Sequence, residues 1–348
     1  YLAMPDLTRS DSGPIRELID RITGLPIFDG FDVAEVPEIV PTSVAFDLFN
    51  FANDHVARSK SDTYYVSDDH ILRPHTTVMW YYYLKHPQIV AKYQAGEPIK
   101  VLSYGKVYRK DELDKHHMNV FHQLDGLYLH KKDEQELTID DLKNTLVDIA
   151  KAMYGEDIKY RFNKDTFPYT DPSIEMEVDK DGEWIEILGA GMAQGSVLKE
   201  LGIDPEVYGG WAFGTGLERH AIISMELPDI RLLWSEDERV SKQLKLGQKY
   251  QEVSKYPPVI RDVSFIVSKT FVPNDYFDLI RELGGDLIEE VELTDEYEND
   301  QKFGSDRKSY TYRIHYRSLD HTLEATEIDP IQEQIYQQTA EQFDAEMR

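Results

Sequence analysis

Two arginines in unlike surroundings carry the strongest chemical signal in this chain. Arg109 follows an alternating β-branched and aromatic run in GKVYRKDELDKHHMNVFHQLDG, residues 105–126. Acids and two histidines come next, and then Phe121, His122, Gln123 and Asp125. One segment thus offers a fixed cation for a phosphate, an aromatic face for a base and polar groups for an amino group. Arg219 closes GTGLER, residues 214–219, at an expected helix start. Taken singly, Arg109 reads as a surface residue paired with Asp111 or Glu112, and Arg219 as an ordinary helix arginine. Together they point to a nucleotide.

The elements around these residues read as an α+β arrangement. IKVLSYGKVYR and MNVFHQLDGLYLH have the composition of paired strands with a charged loop between them. IDDLKNTLVDIAKAMYG is an amphipathic helix with Asp140 or Asp141 in its first turn and Gly155 at its end. YYYLKHPQIVAKYQ is a helix interrupted near Pro87, and Ile15, Leu18, Ile19 and Ile22 keep helical spacing after Gly13-Pro14. Strands with long intervening helices predict a mixed, largely antiparallel sheet over residues 1–235. Residues 236–254 are polar and read as a partly helical connector. After Tyr256-Pro257-Pro258 the pattern restarts as strand, helix, strand, strand, with a last helix capped by Asp329 and opened by Pro330. That order, over residues 255–348, predicts a small two-layer sandwich with one open sheet face.

Composition excludes several functions. With no cysteine among 348 residues there is no disulfide, thiolate metal site or cysteine nucleophile. No apolar run approaches the roughly 18 residues of a membrane helix. YLAMPDLTRSDSG has neither a secretory apolar core nor an Arg-rich transit pattern, so an intracellular, soluble protein is expected. The net charge of −27 should repel a polyanion overall, and residues 255–348 alone carry −11, from 10 basic and 21 acidic residues. RNA binding would need a local basic face. RKSYTYRIHYR, residues 307–317, alternates Tyr310, Tyr312, Ile314 and Tyr316 with Arg307, Thr311, Arg313, His315 and Arg317.

The two arginine segments resemble motifs 2 and 3 of class II aminoacyl-tRNA synthetases, and their wording is nearest to phenylalanyl-tRNA synthetases. YPPVIRDVSFIV, VELTDEY, KSYTYRIHYRS and DHTLEATEI resemble the ferredoxin-like anticodon-binding domain of the same enzymes. The resemblance implies a class II catalytic sheet followed by a ferredoxin-like sandwich. It also implies ATP and Mg2+, L-phenylalanine and tRNA(Phe) as substrates and partners, and a single-chain monomer without a second subunit. Acidity and the absent transit pattern favour the cytoplasm, with the mitochondrial matrix as the alternative.

Activation of an amino acid needs the carboxylate held in line with the α-phosphorus and the developing charge neutralised. The resemblance assigns Arg109 to the α-phosphate and carboxylate, and Arg219 to the triphosphate tail and the outer face of adenine. Phe121 would stack on the base and His117 would lie near the phosphates. Glu186, in GEWIEILGAGM, would hold magnesium, and strand alternation places it on one face with Trp184 and Leu188. His75 and Thr77 in LRPHTT would meet the amino and carboxylate groups, and Gln123 and Asp125 the ammonium. Phe167 and Tyr169 in RFNKDTFPYTDPS would pack on the substrate ring, with Ala212 at its floor. Arg261, Arg313 and Arg317 would face tRNA.

The wording departs from the family at Thr77, where serine is usual, Asp125 for glutamate, Tyr169 for phenylalanine, Val56 for proline and Gln194-Gly195 for His-Pro. Tyr169 bears most on substrate choice, because its hydroxyl changes the polarity of the ring pocket. The competing expectation is a synthetase-like protein that binds or adenylates an amino acid without charging tRNA.

Overall fold

The computed structural model of the protein describes residues 1–110, 114, 115 and 117–348. Asp111 and Glu112, the expected partners of Arg109, lie outside the described residues. The chain divides into two compact units, Tyr1–Tyr250 and Gln251–Arg348.

Among the described residues of the first unit, seven strands form one sheet in the order β1-β4-β5-β9-β8-β7-β6. They are β1 (Asp32–Val33), β4 (Ile99–Tyr108), β5 (Val120–Lys131), β6 (Tyr160–Asp165), β7 (Thr170–Lys180), β8 (Glu183–Ala193) and β9 (Tyr208–Gly216). β1 runs parallel to β4 and every other pairing is antiparallel. A separate antiparallel ladder joins β2 (Ile39–Pro41) to β3 (His70–Leu72). The predicted strand pair is present, with Tyr108 opposite Val120 at the end of the ladder.

Helices bury both sheet faces. α1 (Pro14–Thr23) buries Ile15, Leu18, Ile19 and Ile22, the four residues at helical spacing, against α4 (Ile139–Tyr154) and α6 (Leu217–Met225). Thr138 caps α4 through a reciprocal box with Asp141, and Gly155 ends it at φ +95°. The second core gathers Phe49, Trp80, Leu84, Leu127, Leu129 and Tyr208. It is built from α2 (Met79–Leu84), α3 (Pro87–Gln94) and α5 (Gly195–Glu200), and the α2–α3 break falls before Pro87 as predicted. Residues 236–250 are more than a connector. They include the short helix α7 (Glu238–Ser241), Val240 and Tyr250 are buried, and the Tyr250 amide donates to the Met225 carbonyl.

The second unit pairs β11 (Ile288–Tyr297), β12 (Arg307–Tyr316), β10 (Val259–Ser268) and β13 (Glu346–Met347) in that order. Its core lies between this sheet and the helices α8 (Pro273–Gly284) and α10 (Ala325–Phe343), with α9 (Asp300–Phe303) outside it. Tyr310, Tyr312, Ile314 and Tyr316 all point into that core, as the alternation of residues 307–317 requires. Two details correct the sequence reading. β13 is a fourth strand too short to announce itself. α10 starts at Ala325, capped by Glu324 and Glu327, so Asp329 and Pro330 lie inside it rather than at its start. The cap satisfies the first amides and offsets the hydrogen bond that Pro330 cannot make.

Strand packing gives a direct test. A methyl group on Gly210 would sit 1.9 Å from the Tyr128 carbonyl oxygen. Gly210→Ala must therefore part β5 from β9. The urea midpoint should fall by the equivalent of about 2–3 kcal/mol, and an unchanged midpoint would contradict this register.

Candidate active site

A cavity of about 560 Å³ in the first unit is lined by His75, Thr77, Arg109, His117, Phe121, Gln123, Asp125, Phe167, Tyr169, Glu186, Ala212 and Arg219. Every residue singled out for the catalytic part thus meets in one place. The period of two along β5 explains much of this. Phe121, Gln123 and Asp125 face the cavity, while His122 and Leu124 between them are fully buried. Arg109 follows the last residue of β4. Its amide donates to the Asn119 carbonyl (3.1 Å), its Nε donates to the Pro74 carbonyl (3.1 Å), and its guanidinium carbon lies 5.1 Å from the Phe121 ring centre. His117 stands at the exposed end, its ring nitrogen 3.0 Å from Asp114.

Asp125 forms the inner pole. Its two carboxylate oxygens accept hydrogen bonds from Thr76 Oγ1 and Thr77 Oγ1, each at 2.6 Å. Burial pushes this carboxyl up to about 6, even though both hydroxyls and the Arg109 charge favour its ionised form. Gly214 lies opposite in β9, where a side chain would come within 2.8 Å of Asp125 Oδ1. His75 donates from Nε2 to the Ala45 carbonyl (3.1 Å), which leaves buried Nδ1 as a lone pair without a partner among the described residues. Burial and the Arg109 charge hold that imidazole neutral, at about 4. The Phe167 and Tyr169 rings stack 5.9 Å apart, and Tyr169 meets Phe49 edge to face at 5.6 Å. Ala212 sits opposite Leu127 and Gly191.

Arg219 lies in the first turn of α6 and donates from Nη1 to the Glu186 carbonyl (3.0 Å). The strand alternation expected around Glu186 is broken. Met176 pairs with Leu188 but Glu177 pairs with Glu186, so Ile187 is the extra residue of a β-bulge. Glu186 consequently faces away from Leu188, which is buried, and shares its face with Glu177 and Trp184. Burial raises the Glu186 carboxyl while Arg219 lowers it and Glu175, Asp165 and Glu177 raise it further. The described residues hold no group of three or more His, Cys, Asp or Glu able to enclose a metal. One exposed carboxylate on the cavity wall, Glu186, fits magnesium, which binds through one or two carboxylates and otherwise takes phosphate oxygens and water.

Sequence reasoning missed several contributors. Thr76, beside Thr77 in LRPHTT, acts with it as a pair of hydroxyls on Asp125. Phe51 lies parallel to His75 at 6.1 Å, an interaction between loops with no local signature. Glu218, the residue before Arg219, accepts from both the backbone and ring N–H groups of His122. Tyr154, Thr215 and His220 join in a buried chain, and polar residues within the otherwise apolar LERHAIISM were the available sign.

The second unit does not gather its three arginines. Arg313 makes a two-pronged contact with Asp262 (2.8 and 3.0 Å), and Arg317 pairs with Glu289 (2.7 Å). Arg261 stands in register with core-facing Ile314 and pairs with Asp329 of α10 (2.9 Å). The expected positive stripe is therefore largely neutralised by carboxylates of the same unit.

A mostly antiparallel sheet with one cation at the end of a central strand pair and another on the helix after its neighbour is the catalytic architecture of class II aminoacyl-tRNA synthetases. Residues 2–244 match the family of tRNA synthetases class II core domain (F), and residues 254–348 match the ferredoxin-fold anticodon binding domain. This chain belongs to the class II (F) synthetase family. It is 35% identical to the phenylalanine–tRNA ligase, mitochondrial, of Mus musculus over 93% of this chain and 76% of the mouse protein. It is likewise 35% identical to the chloroplastic/mitochondrial phenylalanine–tRNA ligase of Arabidopsis thaliana, over 98% of this chain and 80% of that protein. The phenylalanine–tRNA ligase alpha subunit of Caldicellulosiruptor bescii is 41% identical over 62% of this chain and 64% of the subunit.

The buried acid and bases pull stability in opposite directions with pH. Burial lowers His75 to about 4 and His220 to about 3 from 6.5, so the stability they carry is present above 6.5 and is lost as pH falls. Asp125 is raised to about 6 from 3.8, so its contribution is present below 3.8 and is lost as pH rises through 6. Asp125→Asn removes the opposing slope. Its urea midpoint should climb more steeply between pH 4 and 6 than that of the wild type, and parallel curves would show that Asp125 ionises as an ordinary carboxyl.

Proposed function

We propose that this chain ligates phenylalanine to tRNA(Phe) in two steps. The phenylalanine carboxylate attacks the α-phosphorus of ATP and pyrophosphate leaves. The terminal ribose hydroxyl of tRNA then attacks the adenylate carbonyl and AMP leaves. The observation that carries this reading is the single cavity in which Arg109, Arg219, Phe121, Asp125 and the Phe167–Tyr169 pair converge. Such chemistry needs positioning and electrostatic relief rather than a protein nucleophile, and this lining supplies those.

Each group has a role in that scheme. Phe121 stacks on adenine, Arg109 meets the α-phosphate and the substrate carboxylate, and Arg219 meets the triphosphate tail, with His117 near the phosphates. Asp125, Gln123 and His75 receive the substrate ammonium, and Thr77 orients Asp125 beside the substrate carboxylate. Phe167 and Tyr169 pack on the ring above Ala212. Glu186 would hold magnesium, which supplies further neutralisation of phosphate charge when bound.

The second unit, of the anticodon-binding family, supports charging of tRNA over adenylation alone. Arg313 and Arg317 are its RNA-facing groups, exchanging carboxylate partners for phosphates at a cost in affinity that rises with salt, while Arg261, on the helix side of the sheet, is left to its pair with Asp329. Both units lie on one polypeptide, and the mouse and Arabidopsis relatives align across both, which supports an enzyme working as a monomer without a second subunit. The organelle names of those relatives favour a mitochondrial or plastid matrix over the cytoplasm expected from acidity.

Arg109→Ala and Arg219→Ala should each abolish phenylalanine-dependent ATP–pyrophosphate exchange while the circular dichroism spectrum stays unchanged. Lysine at either position should restore little, because a point charge cannot reproduce the guanidinium fork. Near-normal exchange in both alanine variants would remove the ligase reading.

Phenylalanine and tyrosine differ by one hydroxyl, which an apolar pocket rejects only by about 10²-fold. Ala212→Gly removes a methyl group from the cavity floor. Tyrosine-dependent exchange should rise by about tenfold relative to phenylalanine, and an unaltered ratio would show that Ala212 does not border the ring.

A further inference from the structure

A polar chain runs from α4 to the cavity wall, where Thr215 and Ile187 are among the lining residues, and it takes no part in the steps above. The Tyr154 hydroxyl on α4 lies 2.5 Å from His220 Nδ1, and His220 Nε2 lies 2.5 Å from Thr215 Oγ1. Thr215 Oγ1 donates to the Ile187 carbonyl at 2.7 Å. Proton directions follow from the donor inventory. A carbonyl only accepts, so the single Thr215 proton goes to Ile187. Thr215 must then accept from Nε2–H, and Nδ1 is left as a lone pair that the Tyr154 proton fills. His220 and Thr215 are almost fully buried, and every group in the chain is satisfied.

The far end of this chain is the β8 bulge. β8 pairs with β9 only over Gly189–Met192, so the carbonyls of Glu186 and Ile187 receive no donor from the β9 ladder. Helix α6 and the end of β9 supply the missing donors. Arg219 donates to the Glu186 carbonyl, and His220 acts on the Ile187 carbonyl through Thr215. Two successive residues of one helical turn thus secure two successive carbonyls of the bulge. Filling the space would need only apolar side chains, since a buried polar network carries a desolvation cost that valine, leucine and phenylalanine would not.

We propose that Tyr154, His220 and Thr215 are positioning residues that set the β8 bulge, and through it Glu186 and Arg219, for the triphosphate of magnesium-bound ATP. The inference rests on the reading of the cavity as an ATP site. Thr215→Val keeps the side-chain shape but leaves the Ile187 carbonyl without its donor. The bulge then loosens, and the carboxylate and guanidinium lose their common register.

The test uses the full chain and magnesium-ATP, with affinity measured by titration calorimetry beside phenylalanine-dependent exchange. Thr215→Val should weaken magnesium-ATP binding by about tenfold, the effect of one lost buried hydrogen bond, while the phenylalanine KM moves by less than about twofold. The triple variant Tyr154→Phe/Thr215→Val/His220→Leu replaces the whole chain by apolar groups. It should still fold, with a wild-type circular dichroism spectrum and a cooperative melt, yet keep the weakened ATP affinity. Wild-type ATP affinity in the folded triple variant would overturn the proposal and reduce the chain to packing. A wild type that binds magnesium-ATP but shows no phenylalanine-dependent exchange would instead overturn the ligase reading, with the network still judged by the ATP affinities.

Discussion

The contact between His122 and Glu218 is the interaction on which the two arginine-bearing segments depend. Both the backbone and ring N–H groups of His122 reach the Glu218 carboxylate, at 2.8 and 2.6 Å, and the opposite ring nitrogen accepts the Leu7 amide at 3.0 Å. Both side chains are buried, so each partner satisfies a group that would otherwise be stranded away from water. Glu218 immediately precedes Arg219, and His122 lies between Phe121 and Gln123. The bond therefore joins the strand that carries Phe121, Gln123 and Asp125 to the helix that carries Arg219. Removing either partner would leave the other polar and buried, and both arms of the cavity would lose their common reference.

Charge is managed locally rather than by the molecule as a whole. The chain carries −27, yet its cavity presents two guanidiniums. Asp125 is kept between two hydroxyls instead of a cation, a carboxylate held at the inner end of the cavity. The second unit does the opposite. Arg313 and Arg317 are already matched by Asp262 and Glu289, so any polyanion approaching this sheet competes with carboxylates held a hydrogen bond away.

The family departures acquire physical meaning in this setting. Asp125 is shorter than the usual glutamate, and the paired Thr76 and Thr77 hydroxyls close on it from the neighbouring turn. Gln194, where histidine is usual, accepts from Asn50, whose amide also reaches the Pro168 carbonyl between Phe167 and Tyr169. Burial pushes the Tyr169 hydroxyl far above its ordinary range, so it stays protonated, a neutral polar group within an aromatic cluster.

Much of this was legible in residue order because its signals are local. A period of two sent Phe121, Gln123 and Asp125 to one side of a strand, and a period of 3.6 buried Ile15, Leu18, Ile19 and Ile22. The break before Pro87 and the end at Gly155 follow from backbone chemistry at single residues. Spacing and resemblance point to twelve of the residues that line the cavity, and folding brings them together. The sequence could not reveal what depends on partners distant along the chain. The bulge at Ile187 turns Glu186 over because β7 and β8 slip by one residue, which no alternation within β8 records. The Arg313 and Arg317 stripe looked cationic because Asp262 and Glu289 reach it only through the sheet. His122 with Glu218, and Tyr154 with His220, are separated by 96 and 66 residues. Hydrogen bonds across such distances are decided by tertiary packing, since only there do buried donors and acceptors find one another.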